Sequence, residues 1–309
     1  MSITAPRAAR RAAFDLAEDA VSDETPDDLA GDVPRETTLP RPPRTRTLVV
    51  ANQKGGVGKT TSAVNLATAL ALGGLRVLVI DLDPQGNAST ALGIEHREGV
   101  RGTYEVISGD ATIAELVQES PEASGLWVLP ATVDLAGAEI GLVNVAARES
   151  RLLHALRDYV DAAAPDYVFI DCPPSLGLLT VNALVAADEI LIPIQCEYYA
   201  LEGVTQLLRT INLVKGSMND RLYLSTVLLT MFDGRTRLAT QVASEVRRHF
   251  PDQTLATAIP RSVRVSEAPS YGQSVITYHS ASAGAQAYLD AATELAQRGV
   301  GTDPATEGA

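Results

Sequence analysis

Cysteine is nearly missing from this chain of 309 residues. Only Cys172 and Cys196 occur, and neither belongs to a CxxC pair or a Cys/His cluster. That argues against an iron–sulfur carrier or a cysteine-bound zinc site, and two reduced thiols beside buried strands suit a cytosolic protein. Long apolar runs are missing too. No stretch of about 18 apolar residues exists, so no transmembrane helix is expected. Arg7, Arg10 and Arg11 are not followed by an apolar core, which excludes a secretory signal. Aromatics make up 5%, so the core must come from Ala, Val, Leu and Ile. Positive charge is in deficit: the formal net charge of −13 excludes a globally basic nucleic-acid binder and leaves room only for a local basic patch.

What is present divides into a tail and a folded body. Residues 1–46 read as a disordered N-terminal tail: acidic and Pro/Gly-rich from Asp15 to Glu36, then LPRPPRTR. Such a segment buries too little apolar surface to offset its ordering entropy. Residues 47–300 form the expected domain and 301–309 a disordered C-terminal tail. Within the domain, TLVVA, RVLVIDLD, LWVLPA, DYVFIDCPP, EILIPI, LYLSTVLLTMF and TLATAIP read as strands, and helical segments fall between most of them. The strands are nearly continuous apolar runs. That pattern predicts an α/β fold, a mostly parallel β-sheet with helices on both faces.

The chemistry begins where the first strand ends, at KGGVGKTT, residues 54–61. The general phosphate-loop pattern is G-x-x-x-x-G-K-[ST]. Here Gln53 takes the first glycine's place, and Gly55 and Gly56 lie inside the loop before Gly58, Lys59 and Thr60. Glycines let backbone N–H groups converge on phosphate oxygens, and the following helix adds its positive end. With Val57 and Thr61 these residues form the expected nucleotide cradle, the P-loop of an NTPase fold. Lys59 reaches the β- and γ-phosphates and Thr60 ligates Mg²⁺. Lys54 is a second lysine that a phosphate held in cis does not need. It is either an exposed loop residue or a group that reaches the nucleotide of a facing subunit, like an arginine finger. Asp171 ends YVFID, where a carboxylate stands behind Mg²⁺ through water. Asp81 and Asp83 end VLVIDLD on the same side of the strand, so spacing allows either to lie near the metal or orient the attacking water. Asp83 is the candidate for the water.

KGGVGKTT, DLDPQGNAS, DYVFIDCPPSLGLLTVNAL, CEYYALEG and IPRSVRVSEAPSYGQ, in this order, resemble the ParA/Soj-type chromosome partition ATPases over residues 47–298. The first motif marks the wider deviant Walker A superfamily, whereas DLDPQGN, CEYYALEG and PRSVRVSEAP are more specific. The resemblance implies a switch. ATP and Mg²⁺ bind, two subunits join face to face, and Lys54 crosses to the partner's phosphates, so that Lys54, Lys59 and Asp83 form the catalytic set. The dimer coats DNA without sequence preference, which implies a cytoplasmic, nucleoid-associated protein. A ParB-type partner stimulates hydrolysis that is otherwise slow. Pro260 and Arg261 match positions near the adenine, and Arg235 and Arg264 match DNA-binding positions.

Charge distribution agrees with the last point. Arg235, Arg237, Arg247, Arg248, Arg261 and Arg264 face only Glu245 and Asp252 within the same span, a local surplus of four positive charges. Arginines without interleaved aromatics suit phosphate contact rather than base stacking. A MinD-type membrane switch would need a basic amphipathic C-terminal helix, and ELAQRGVGTDPATEGA has no apolar face. A ligase or reductase on the same scaffold would need a second substrate pocket or cluster cysteines. The tail is too short for a helix-turn-helix domain that reads an operator.

Overall fold

In the computed structural model, residues 38–300 are described apart from 98 and 199. The chain divides into two units, Met1–Glu36 and Thr37–Ala309, and the described residues belong to the second. Of the tails expected over 1–46 and 301–309, residues 1–37 and 301–309 lie outside the described residues. The expected N-terminal boundary at 46 is corrected, because residues 38–45 already pack on the domain. The Leu39 N–H donates to the Gly73 carbonyl at 2.9 Å, its side chain is buried, and the Thr45 hydroxyl donates to the Pro165 carbonyl at 2.6 Å. One buried leucine contributes about 1.5–3 kcal/mol, enough to hold a short polar arm.

Eight strands form one sheet among the described residues: β1 (Arg46–Val50), β2 (Val77–Asp81), β3 (Gln118–Glu119), β4 (Leu126–Leu129), β5 (Tyr167–Asp171), β6 (Glu189–Gln195), β7 (Tyr223–Phe232) and β8 (Thr254–Pro260). Their order is β3-β4-β2-β5-β1-β6-β7-β8, and every pairing is parallel except β3 with β4. The long helices are α1 (Lys59–Leu72), α2 (Arg151–Ala163), α3 (Leu178–Ala186), α4 (Ala200–Ser217), α5 (Arg237–His249) and α6 (Ala283–Val300). This is the expected fold class.

Alternation along each strand sends side chains to two cores. Leu48, Val50, Val77, Val79, Tyr167 and Phe169 pack with α1 and α6 on one face. Val49, Leu78, Ile80, Val168 and Ile170 pack with α2, α3, α4 and α5 on the other. A strand buried on both faces reads as a continuous apolar run, which is why the sequence pattern was informative. β1 lies between β5 and β6, so the chain leaving it turns out of the sheet at its C-terminal edge, where ligands bind in open α/β sheets.

At the opposite end of β1, the buried Arg46 guanidinium donates to both Glu189 oxygens, at 2.7 and 2.6 Å, and to the Leu295 carbonyl at 2.9 Å. This joins β1, β6 and α6. Arg46→Ala leaves Glu189 buried without its partner, and the expected loss in unfolding free energy is about 3–5 kcal/mol by chemical denaturation. A loss below about 1 kcal/mol would mean that water reaches the carboxylate and the network carries little.

Candidate nucleotide-binding site

The loop between β1 and α1 is shaped by two left-handed glycines, Gly56 at φ 73° and Gly58 at φ 88°. An L side chain there costs about 1–2 kcal/mol, so glycine fits both positions. Gly58 stands at the start of α1 and brings no capping side chain, which leaves the first-turn N–H groups for a ligand. The loop is braced from two neighbouring strands. The Thr230 hydroxyl at the end of β7 donates to the Val57 carbonyl at 2.9 Å, and the Asn52 amide donates to the Pro193 carbonyl of β6 at 2.8 Å.

The loop walls a cavity of about 360 Å³ lined by Gly55, Gly56, Gly58, Lys59, Thr60 and Thr61, with Asp83, Asn87, Pro174, Met231, Pro269 and Gln273 among the facing residues. Its size is that of a small-molecule site. A Cβ at Gly55 or Gly56 would meet no atom within 4 Å, because both face open space. Lys59 is buried, with Nζ 3.5 Å from the Lys54 carbonyl. Burial lowers its pKa, while Asp171, Cys172 and Asp83 oppose that. Lys54 does not line this cavity. Its ammonium turns to Glu197, 3.2 Å away.

The three aspartates have different surroundings. Asp81 and Asp171 are register partners on β2 and β5, and both are fully buried. Asp81 accepts the Ser89 N–H at 2.8 Å, the Ser89 hydroxyl at 2.7 Å and the Asp83 N–H at 3.1 Å. Burial raises its pKa to about 6 against those hydrogen bonds. Asp81 thus holds the loop that follows it, and its carboxylate does not line the cavity where it was expected near the metal. Asp83 does line it, with Oδ1 accepting the Gln85 N–H at 3.0 Å. Spacing left the two alternatives open; placement favours Asp83 for the group that faces a ligand.

Asp171 is the orphan. Neither carboxylate oxygen has a hydrogen-bond partner, and at the loop mouth the buried Gln53 Nε2 has none either. Burial raises the Asp171 pKa well above the ordinary carboxylate range, Asp81 adds to it, and the Thr60 hydroxyl and Lys59 oppose it. A buried carboxylate of this kind is chemically suited to a cation or an ordered water. Among the described residues no group of three or more His, Cys, Asp or Glu is placed to hold a metal by itself. A hard cation shared with phosphate oxygens and water, with Thr60 and Asp171 as the protein's part, fits this donor set.

Two expected residues stand elsewhere. Pro260 and Arg261 are not among the lining residues; the Arg261 N–H donates to the Phe232 carbonyl at 3.1 Å and its guanidinium reaches Glu197 at 3.5 Å. The wall away from the loop includes Met231, Pro269 and Gln273 instead. Met231 has φ 51°, rare for a side chain of its size. Pro269 and Gln273 lie inside the APSYGQ motif but carried no assigned role in the sequence. Both cysteines are free and buried, and burial pushes Cys196 up to about 11 and Cys172 well above the usual thiol range, which disfavours the thiolate form.

The arginines form two groups. Arg235 is exposed at the end of β7 and pairs with Asp233 at 2.8 Å, and Arg261 is tied to the same strand end. Arg237 opens α5, while Arg247 and Arg248 stand in its last turn, with roughly 15 Å of helix axis between Arg237 and Arg247. Arg248 pairs with Glu245, and Arg264 with Glu267 at 3.0 Å. The local positive surplus is therefore smaller than the 235–264 span suggests, because Asp233 and Glu267 lie just outside it.

A left-handed glycine loop launching a helix from the C-terminal edge of a parallel sheet, around a buried lysine and an orphan carboxylate, defines a P-loop nucleoside triphosphatase. The family described as AAA domain matches residues 45–224. Sporulation initiation inhibitor protein Soj of Bacillus subtilis is 51% identical over 252 residues, covering 82% of this chain and 98% of that protein. Chromosome partitioning protein ParA of Caulobacter vibrioides is 53% identical, covering 82% of this chain and 94% of that protein. Among solved structures, cobyrinic acid a,c-diamide synthase from Mycobacterium smegmatis with bound ATP analog and magnesium superposes with a TM-score of 0.71 at 40% identity, covering 82% of this chain and 95% of that one. The chain belongs to the ParA/Soj family of chromosome-partitioning ATPases.

Lys59→Ala is expected to weaken ATP binding by about 10- to 100-fold, the worth of a charge-assisted contact to phosphate. Titration with a fluorescent ATP analogue measures it. Parental affinity would remove Lys59 from the cradle.

Proposed function

We propose that this ATPase is a DNA-surface switch. ATP with magnesium fills the cradle, two copies join face to face, and the dimer holds DNA without sequence preference. A ParB-type protein at centromere-like sites then stimulates hydrolysis and releases it, which moves chromosomal or plasmid DNA. The observation that carries this reading is the division of labour between the loop lysines. Lys59 fills its own cradle, and Lys54, on the same loop, is directed out of it. A loop lysine at the rim with no phosphate to hold in cis suits one that acts on a second copy.

In this reading Lys59 and the α1 N-terminus bind the phosphates, and Lys54 stabilises charge on the partner's. Asp83 orients the attacking water through its free carboxylate oxygen. Thr60, and Asp171 through water, would hold magnesium, which would neutralise phosphate charge. Arg235, Arg237 and Arg264 contact DNA phosphates from the strand-end side, and Arg247 and Arg248 extend the contact along α5. Exposed pairs such as Arg264 with Glu267 are weakly held, so a DNA phosphate can exchange for the carboxylate. Among the described residues no helix is long and apolar enough to cross a membrane.

A second reading is an ATP-using synthase with a second substrate, favoured by the 40% identity to the mycobacterial enzyme. The two separate in one assay, retention on non-specific duplex DNA with ATP, ADP or no nucleotide at two salt concentrations. Retention only with ATP, falling steeply with salt, is the expected outcome. No retention in any state would remove the switch and leave the synthase. Arg264→Glu should still dimerise with ATP but lose DNA, and unchanged retention would move the surface elsewhere. Asp83→Ala is expected to bind ATP normally while hydrolysis falls by about 100-fold or more. Hydrolysis at the parental rate would take the water from Asp83.

A further inference from the structure

Glu197 follows β6, and its carboxylate collects three donors from three strand ends. Lys54 Nζ lies 3.2 Å from Oε2, the Arg261 guanidinium lies 3.5 Å from Oε1, and the Gln195 amide also donates to Oε1. The backbones that carry these groups are fixed. The Lys54 N–H donates to Asn52 Oδ1 at 3.0 Å, and the Glu197 N–H donates to the Gln195 carbonyl at 2.8 Å. The lysine side chain is partly exposed, and its four-carbon stem gives it several ångströms of reach.

The pair makes little sense as a structural staple. The Lys54 and Glu197 side chains are 39% and 45% exposed, and at that exposure an ion pair is weakly held. It also cancels the one loop cation that stands outside the cradle. When Lys54 leaves, Glu197 keeps Arg261 and Gln195, so the departure strands no charge. A triphosphate offered by a second copy carries more negative charge than one carboxylate and outcompetes it.

We propose that Glu197 is a positioning residue of the ATPase, a counter-ion that parks Lys54 on its own subunit until a second copy presents its nucleotide phosphates. The proposal rests on the ATP-dependent dimer of the preceding section. Glu197 sets the protein concentration at which that dimer forms, without touching the nucleotide in its own cradle.

The test is sedimentation velocity of the full chain across a protein concentration series, with a non-hydrolysable ATP analogue and magnesium. Glu197→Gln keeps the shape and removes the charge. Its dimer dissociation constant should fall about 2- to 5-fold, the scale of a half-exposed ion pair, with ATP affinity at protein concentrations too low to dimerise unchanged. Glu197→Asp should return towards the parental value, and in a Lys54→Ala background Glu197→Gln should change nothing. A parental dimer with Glu197→Gln indifferent would overturn the parking role alone. Weaker dimerisation in Glu197→Gln would overturn it too, and would place Glu197 inside the assembled interface. An effect that persists without Lys54 would reduce Glu197 to a structural part. A parental chain that stays monomeric with the analogue would instead overturn the dimer on which the proposal rests.

Discussion

The left-handed turn at Gly58 is the constraint on which the site depends. It turns the loop that leaves β1 into α1, so a helix N-terminus opens at the sheet's C-terminal edge. Lys59 follows at once and is buried there, which is tolerable for an ammonium because Asp171 and Asp83 stand near it. The turn does not hold itself. Thr230 and Asn52 pin it to β7 and β6, so the phosphate cradle takes its shape from the sheet. A preorganised cradle of this kind costs little reorganisation when an anion arrives.

The carboxylates show how strand register divides tasks. Register sets Asp81 beside Asp171 at the ends of β2 and β5. Burial raises the pKa of both carboxylates, and the charge of Asp81 raises that of Asp171 further. Ser89 and a backbone N–H hydrogen-bond to Asp81, whereas Asp171 accepts no hydrogen bond and has only the nearby Thr60 hydroxyl and Lys59 to offset its burial. One aspartate becomes a brace for the loop bearing Asp83, and the other becomes the group that calls for a cation. A protein built only for stability would gain by replacing such an orphan, so its presence marks function.

Much of this was legible in the sequence, for identifiable reasons. Strands buried on both faces read as apolar runs, and the loop glycines have no other common use at that place. What was not legible had no local signal. The helix at Leu178–Ala186 is buried over most of its length, so it has no polar face to mark its period. β3 is two residues long and visible only through its pairing with β4. Asp81 and Asp83 share a strand side by parity, but the strand ends at Asp81, so alternation no longer governs Asp83. Leu39 escaped because one apolar residue in a Pro/Arg segment looks like solvent-exposed tail. The arginine surplus looked larger than it is because pairing partners lie just outside the counted span. Met231 and Gln273 reach the cavity wall only through tertiary packing. The Lys54–Glu197 contact joins residues 143 apart in the chain, and nothing in the two motifs that carry them signals that they meet.

The central claim is that the two loop lysines serve different nucleotides, Lys59 its own and Lys54 the partner's. Mixing two defective variants tests it most directly. Lys54→Ala lacks the crossing lysine and Asp83→Ala lacks the water-orienting carboxylate, so each alone should bind ATP and barely hydrolyse it. In a mixed dimer the Lys54→Ala copy keeps its Asp83 and receives Lys54 from its neighbour, giving one complete site. The account predicts that ATPase activity returns on mixing. Two variants that form mixed dimers and stay inactive would contradict it and return Lys54 to its own subunit.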